Sequence, residues 1–229
     1  MSELPFILFG QQHLFALVLS ALTIIYFPLY AKKKLSKDSQ EAIAKTLAIF
    51  LIVHELSRPF YRPYFFGDEL ILSFPLHACH LSAFSIAVYL LVRKKVFFEV
   101  AYYWGLGGGT MALLTPDITR AFPDIEWFPF FIGHGAMIMA IFFSMFCHNT
   151  YPSKHSLRRV VLITMSSLPL IYIVNVLLGP PANYWYLKTK PEGDSLMNFM
   201  PPPPFHIPIA MGIAFAVFYL LHIPFRKKL

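Results

Sequence analysis

The sequence has little charge and almost no cysteine. Only 14% of its 229 residues are charged, against roughly 25% in ordinary soluble domains. A chain so poor in charge cannot cover a water-facing surface, which excludes a soluble globular domain. The two cysteines, Cys79 and Cys147, rule out a disulfide framework. They are also expected at different depths, which argues against their bonding to each other. There is no CxxC pair, P-loop, GxGxxG fingerprint or GxSxG elbow. Nucleotide-dependent and serine-hydrolase chemistry therefore lack their usual signatures, and no cofactor is implied. No internal repeat of the secondary-transporter kind is present.

What remains is apolar. Hydrophobic residues make up 57% of the chain, including 24 Phe and 12 Tyr. Seven segments approach the ~20 residues that cross a bilayer as helix, near 6–30, 41–60, 69–92, 97–115, 127–147, 158–179 and 205–224. The expected fold is all-α: a polytopic membrane bundle of seven transmembrane helices forming a single integral membrane domain over 1–229. The second segment is the weakest, because it contains His54 and Glu55; six spans with that stretch at the interface is the alternative. The first segment lacks a basic n-region and a small-residue cleavage site, so it reads as a span rather than a signal peptide.

Charge sorts the connections. Lys32, Lys33, Lys34, Lys37 and Lys45 share one side with Arg93, Lys94, Lys95, Lys154, Arg158, Arg159, Arg226, Lys227 and Lys228, which is 14 of the 19 basic residues. The positive-inside rule makes that side cytoplasmic, with the N-terminus outside and the C-terminus in the cytoplasm. The net charge of +7 then follows from topology and anionic lipid, and calls for no nucleic acid. The longest connection, about 180–204, is rich in proline and aromatic residues and is expected to pack on the outer face.

Polar groups inside a bilayer are costly, so their positions are informative. His13 falls in the outer half of the first span, and His54 and Glu55 near the outer end of the second. His77, Cys79 and His80 lie roughly 12–17 Å below the outer end of the third, and His134 about 10 Å below that of the fifth. Asn175 is one turn from the outer end of the sixth span, and His206 opens the seventh. Pro116 and Asp117 close the fourth span at the outer surface. The expectation is one polar pocket in the outer half, open outward or to the outer leaflet, above an almost purely apolar inner half. In the fourth span, GLGGGTMALLTPD either packs closely through Gly105, Gly107, Gly108 and Gly109 or unwinds to offer backbone donors.

The stretch HACHLSAF admits three readings. Cys79 is a nucleophile, with a base in reach. His80 diverges from it by about 100° on a helix, so His134, set between glycines in FFIGHGAM, is the better base. Alternatively, His77 and His80, at i and i+3, share a face and bind metal with His54 or His134. Or these are packed polar residues and Cys79 is a small buried hydrophobe.

The runs LSFPLHACHLSAF, YYWGLGGGTMALLTPD, FFIGHG and NYWYLKTKPEGDSLMNFMPPPPFHIP together resemble the YwaF family of bacterial integral membrane proteins. That family is similar to the vertebrate TMEM-type acyltransferases that place acyl chains on phospholipids. The resemblance implies Cys79 as acyl carrier and His134 as its histidine. It also implies a pocket mouth at Asn183, Tyr184 and Lys190, and membrane phospholipids and lysophospholipids as partners in a bacterial cytoplasmic membrane. His77 and His80 fall outside what it implies, which keeps the metal reading open. With His54, Asn175 and Asp117 they complete the set of candidate substrate-binding residues. An outward-facing binding or transport protein, or a histidine-liganded metal hydrolase, is the alternative function.

Overall fold

The computed structural model of the chain describes residues 5–118, 120–191 and 196–226. Among these the fold is helical, with no strand beyond one isolated bridge between Pro5 and Arg120. Four long helices are unbroken and strongly apolar: α1 (Gln11–Lys34), α7 (Trp127–Cys147), α8 (Ser156–Leu178) and α9 (His206–His222). Each is long and apolar enough to cross a membrane, α9 together with the short turn to Phe225. Helix α2 (Lys37–Phe66) is longer still, but it carries Glu55, Arg58 and Arg62 in its C-terminal half.

The expected third and fourth spans are interrupted. The third is a short helix α3 (Leu70–Ser73), an extended link, and α4 (Ala78–Val92). The cause is Pro75: the residue before a proline is pushed out of the helical region, and Phe74 is extended at φ −64°, ψ 137°. The fourth is α5 (Lys95–Trp104), a π-helical segment Gly105–Gly109, and α6 (Thr110–Leu114). The glycine run therefore neither unwinds nor continues as regular α-helix. A Cβ on Gly105 would lie 2.6 Å from Ser82 Oγ, and one on Gly109 2.4 Å from Met137 Cε. These glycines serve as surfaces for close approach.

The core is α7 flanked by α1, α2 and α4, with α5 against α4. Small residues sit at the contacts: Ala16, Ala31, Ala44, Ala48, Ala83, Ala87, Ala101 and Ala140 are all buried. Without a hydrophobic drive between helices in lipid, close packing of this kind holds them together. The outer faces of α1 and α8 present Phe15, Val18, Leu22, Tyr26, Leu162, Leu170 and Leu177 outward, the surface a hydrocarbon surrounding requires.

One expectation is corrected. The end opposite Cys79 is not purely apolar. Fully buried Glu99 accepts from Ser153 N (3.1 Å) and Ser153 Oγ (2.7 Å) and pairs with Arg159. Tyr103 Oη bonds to Ser156 Oγ and His222 Nδ1, both at 2.8 Å. This network ties α5 to α8, α9 and the 148–155 connection.

Candidate active site

The break at Pro75 places His77 at the N-cap of α4 and Cys79 in its first turn. First-turn backbone N–H groups have no intrahelical acceptor, so the thiol sits where free donors collect. The side chains that approach it are His134 and His80. His134 comes from the second turn of α7, where its Nδ1 donates to the Phe130 carbonyl at 2.9 Å. A carbonyl can only accept, so that bond fixes the proton on Nδ1 and leaves Nε2 as the free lone pair.

The contact with His80 was not expected from helical angles. A 100° separation applies to Cβ directions, whereas an imidazole at a helix start is long enough to fold back over its neighbour. His80 is anchored on its far side: its Nδ1 lies 2.8 Å from Glu55 Oε2, a carboxylate buried in α2. Glu55 is surrounded by cations and donors, with Arg58 Nε at 3.9 Å and His54 Nδ1 at 3.4 Å. His54 Nε2 in turn donates to the Pro129 carbonyl of α7 at 3.0 Å. Gly133, beside His134, lets His54 approach α7: a Cβ there would lie 2.4 Å from His54 Cε1.

The 180–191 loop closes over His77. The rings of Tyr184 and Tyr186 stand 5.1 and 5.3 Å from the His77 ring, and Trp185 N reaches His77 Nδ1 at 3.4 Å. Trp185 and Tyr186 both have left-handed backbones, at φ 58° and 53°. That conformation costs L-residues about 1–2 kcal/mol each and persists only where neighbours enforce it. Here Trp185 Nε1 donates to the Leu76 carbonyl (2.9 Å), its ring meets Trp104 edge-on (5.3 Å), and His206 Nε2 holds the Tyr186 carbonyl (2.7 Å). Burial pushes the Tyr186 phenol up to about 12, and the nearby Asp117 carboxylate adds to the effect. Tyr186 borders the site through its ring contact with His77, and Asp117 lies near Tyr186.

The remaining sequence candidates hold the loop. The Asn175 side chain bonds both backbone groups of Tyr184, at 2.7 and 2.9 Å. Asn183 Oδ1 accepts from Lys188 N and Thr189 N. Lys190 Nζ donates to the Met200 carbonyl at 2.5 Å. Tyr184 is buried, with its hydroxyl on the Ile71 carbonyl. Cys147 is a free thiol beneath Pro28. Among the described residues no group of three or more His, Cys, Asp or Glu side chains forms a metal-ligand set. Sequence reasoning placed Glu55 and His206 in the polar pocket by depth but gave them no role, and it missed Tyr186, for which no signal was available.

A family model described as the TMEM164 family matches residues 8–222. An uncharacterized protein of Treponema pallidum (strain Nichols) is 29% identical over 117 residues, 51% of this chain. The match covers 48% of that protein, so the chain spans about half the length of this relative. No solved structure matches. The family match is of the TMEM type, and the YwaF name expected from the motifs is not supported. Together with four membrane-length apolar helices, it makes the chain an integral membrane protein.

Proposed function

The chain belongs to the TMEM164 family, and on that premise we propose that it is a membrane-embedded lipid acyltransferase that carries the acyl group on Cys79. The observation that carries this reading is one thiol flanked by two imidazoles, each tethered through its Nδ1, His134 to the Phe130 carbonyl and His80 to the Glu55 carboxylate. A packing cysteine or a carrier protein has no use for that arrangement.

In the proposed mechanism His134 Nε2 takes the thiol proton, and the Cys79 sulfur attacks the ester carbonyl of a membrane phospholipid. The carbonyl becomes an oxyanion, for which the free first-turn amides of α4 and the His80 imidazole are the nearest donors. The C–O bond then breaks, and the departing lysophospholipid oxygen takes the proton back from His134. A thioester remains on Cys79. A lysophospholipid hydroxyl next gives its proton to His134 and attacks the thioester, and the thiol is regenerated; water in its place gives hydrolysis. Glu55 holds the His80 ring. We place the reaction in a seven-span bundle with the N-terminus outside and the Cys79 end toward the outer face of a bacterial cytoplasmic membrane. The helix segments and the distribution of basic residues support that topology.

The test is intact mass of the protein purified from its membrane, with and without hydroxylamine. The expected result is a hydroxylamine-labile acyl mass that maps to Cys79 and is absent from Cys79→Ala. The reading fails if the purified Cys79→Ala and His134→Ala proteins both remodel phospholipids at the wild-type rate.

A further inference from the structure

Helix α2 carries Arg58 one turn beyond Glu55. Three residues advance a helix by ~4.5 Å, so Arg58 stands that much nearer the Gly67 end of α2 than the carboxylate that holds His80. A guanidinium in a membrane segment is costly unless it meets an opposite charge, and the two arginines of this stretch meet that need differently. Arg62 is paired twice, with Asp68 Oδ2 at 2.5 Å and Glu126 Oε1 at 3.6 Å. Among the described residues Arg58 has one ion-pair partner, Glu55 Oε2, at 3.9 Å from its Nε. That distance is too long for a hydrogen bond, and the same oxygen already lies 2.8 Å from His80 Nδ1. The other Glu55 oxygen faces His54 Nδ1 at 3.4 Å. Tyr61 approaches Arg58 from the same helix and supplies no negative charge in its neutral form. The Arg58 side chain keeps 15% of its surface exposed, so a ligand can reach it from outside the bundle.

A chain of contacts joins this charge to the reacting centre: Arg58 to Glu55, Glu55 to His80, and His80 beside Cys79. In a glycerophospholipid the phosphate lies on the headgroup side of the acyl esters, on the same glycerol. With an ester at Cys79 and the Gly67 end of α2 toward the headgroups, the phosphate points to the level where Arg58 stands. Arginine suits that group, because its planar fork can donate to two phosphate oxygens at once.

We propose that Arg58 binds the phosphate of the glycerophospholipid whose ester lies at Cys79, and thereby selects phospholipids over neutral glycerides. The placement of the ester rests on the acyltransferase reading. Binding of the phosphate needs no turnover and moves no proton, so the two can fail separately.

The experiment uses the full chain in detergent and follows the alkylation of Cys79, a free and half-exposed thiol, by N-ethylmaleimide, with the labelled peptide mapped by mass. The protecting probes are a short-chain diether phosphocholine, which has no ester to transfer, and the dialkylglycerol of the same chains, which has no phosphate. The phosphocholine is expected to halve the labelling rate at about tenfold lower concentration, the effect of a charge-assisted hydrogen bond. In Arg58→Gln the two probes should protect equally. Arg58→Lys should keep part of the preference, since the charge remains and the fork is lost, and it carries the comparison if gel filtration shows Arg58→Gln unfolded. Arg62→Gln should keep all of it. Equal protection by the two probes in the wild type, no protection by either, or an undiminished preference in folded Arg58→Gln or Arg58→Lys overturns the proposal. Inorganic phosphate at the concentration of the lipid should leave the preference intact; if it erases it, the site takes free phosphate rather than a lipid headgroup. Loss of the hydroxylamine-labile mass with the preference retained would count against the thioester and leave the role of Arg58 standing.

Discussion

Two groups of buried polar side chains occupy opposite ends of the bundle, and they are built differently. Around Glu99 almost every polar atom is spent: carboxylate on Ser153 and Arg159, tyrosine on serine and histidine. Around Cys79 many are not. Gln12 Oε1, Tyr61 Oη, Trp127 Nε1 and His206 Nδ1, all toward that end, are buried with neither a hydrogen bond nor an ion pair, whereas among the described residues the Glu99 end leaves only His148 Nε2, itself 3.4 Å from Glu41. A satisfied network fixes helices in place. An unsatisfied one retains a cost that a ligand can remove, and native proteins concentrate such exceptions at functional sites. The difference teaches that burial of charge alone does not mark a site; incomplete pairing does.

The contrast can be broken most directly at His134. His134→Ala should slow thioester formation about 10²–10⁴-fold with little change in unfolding temperature, because the ring's backbone bond is local, to the Phe130 carbonyl of its own helix. A large loss of stability with unchanged rate per folded molecule would reverse the roles assigned to the two ends. Glu99→Ala should do the opposite. It strands two Ser153 donors and Arg159, at a cost of about 3 kcal/mol in stability, while activity per folded molecule stays within a few-fold. Thermal unfolding in detergent beside a lipid-remodelling assay measures both.

The smallest expected effect concerns pH. His148, just beyond α7, is held down to about 4 from an ordinary 6.5, first by burial and then by Arg93, whose Nη1 is 2.6 Å from its Nδ1. The folded state thus keeps this ring neutral while the unfolded chain takes up a proton. Stability from this group is complete above about 6.5 and is lost as pH falls toward about 4. His148→Gln should flatten that part of the curve of unfolding temperature against pH; an identical slope in the variant would assign the acid sensitivity elsewhere.

Much of the fold was legible because hydropathy and helix length are local properties. The segment expected at 127–147 is the helix Trp127–Cys147. Depth alone also brought Cys79 and His134 to one level. The break in the third span was readable in principle from Pro75, but a continuous apolar run hid it. What could not be read was lateral pairing. Glu55 and His80, or Glu99 and Arg159, meet only once helices choose neighbours and rotations, and one-dimensional periodicity carries neither. The fold-back of His80 onto Cys79 depends on the helix starting at Ala78, so missing the break also meant missing the second histidine.

That break also sets the level at which the site meets its surroundings. The 15 residues of α4 rise about 22 Å, less than the ~30 Å of a bilayer's hydrocarbon core. A wall that stops short lets the adjoining leaflet sag toward it. The ester groups of a phospholipid sit just inside the headgroup layer, and over this sector they would descend toward the start of α4. On the proposed function the chain would then not need to lift a lipid out of the membrane, because the short helix would let the ester layer come down to the thiol.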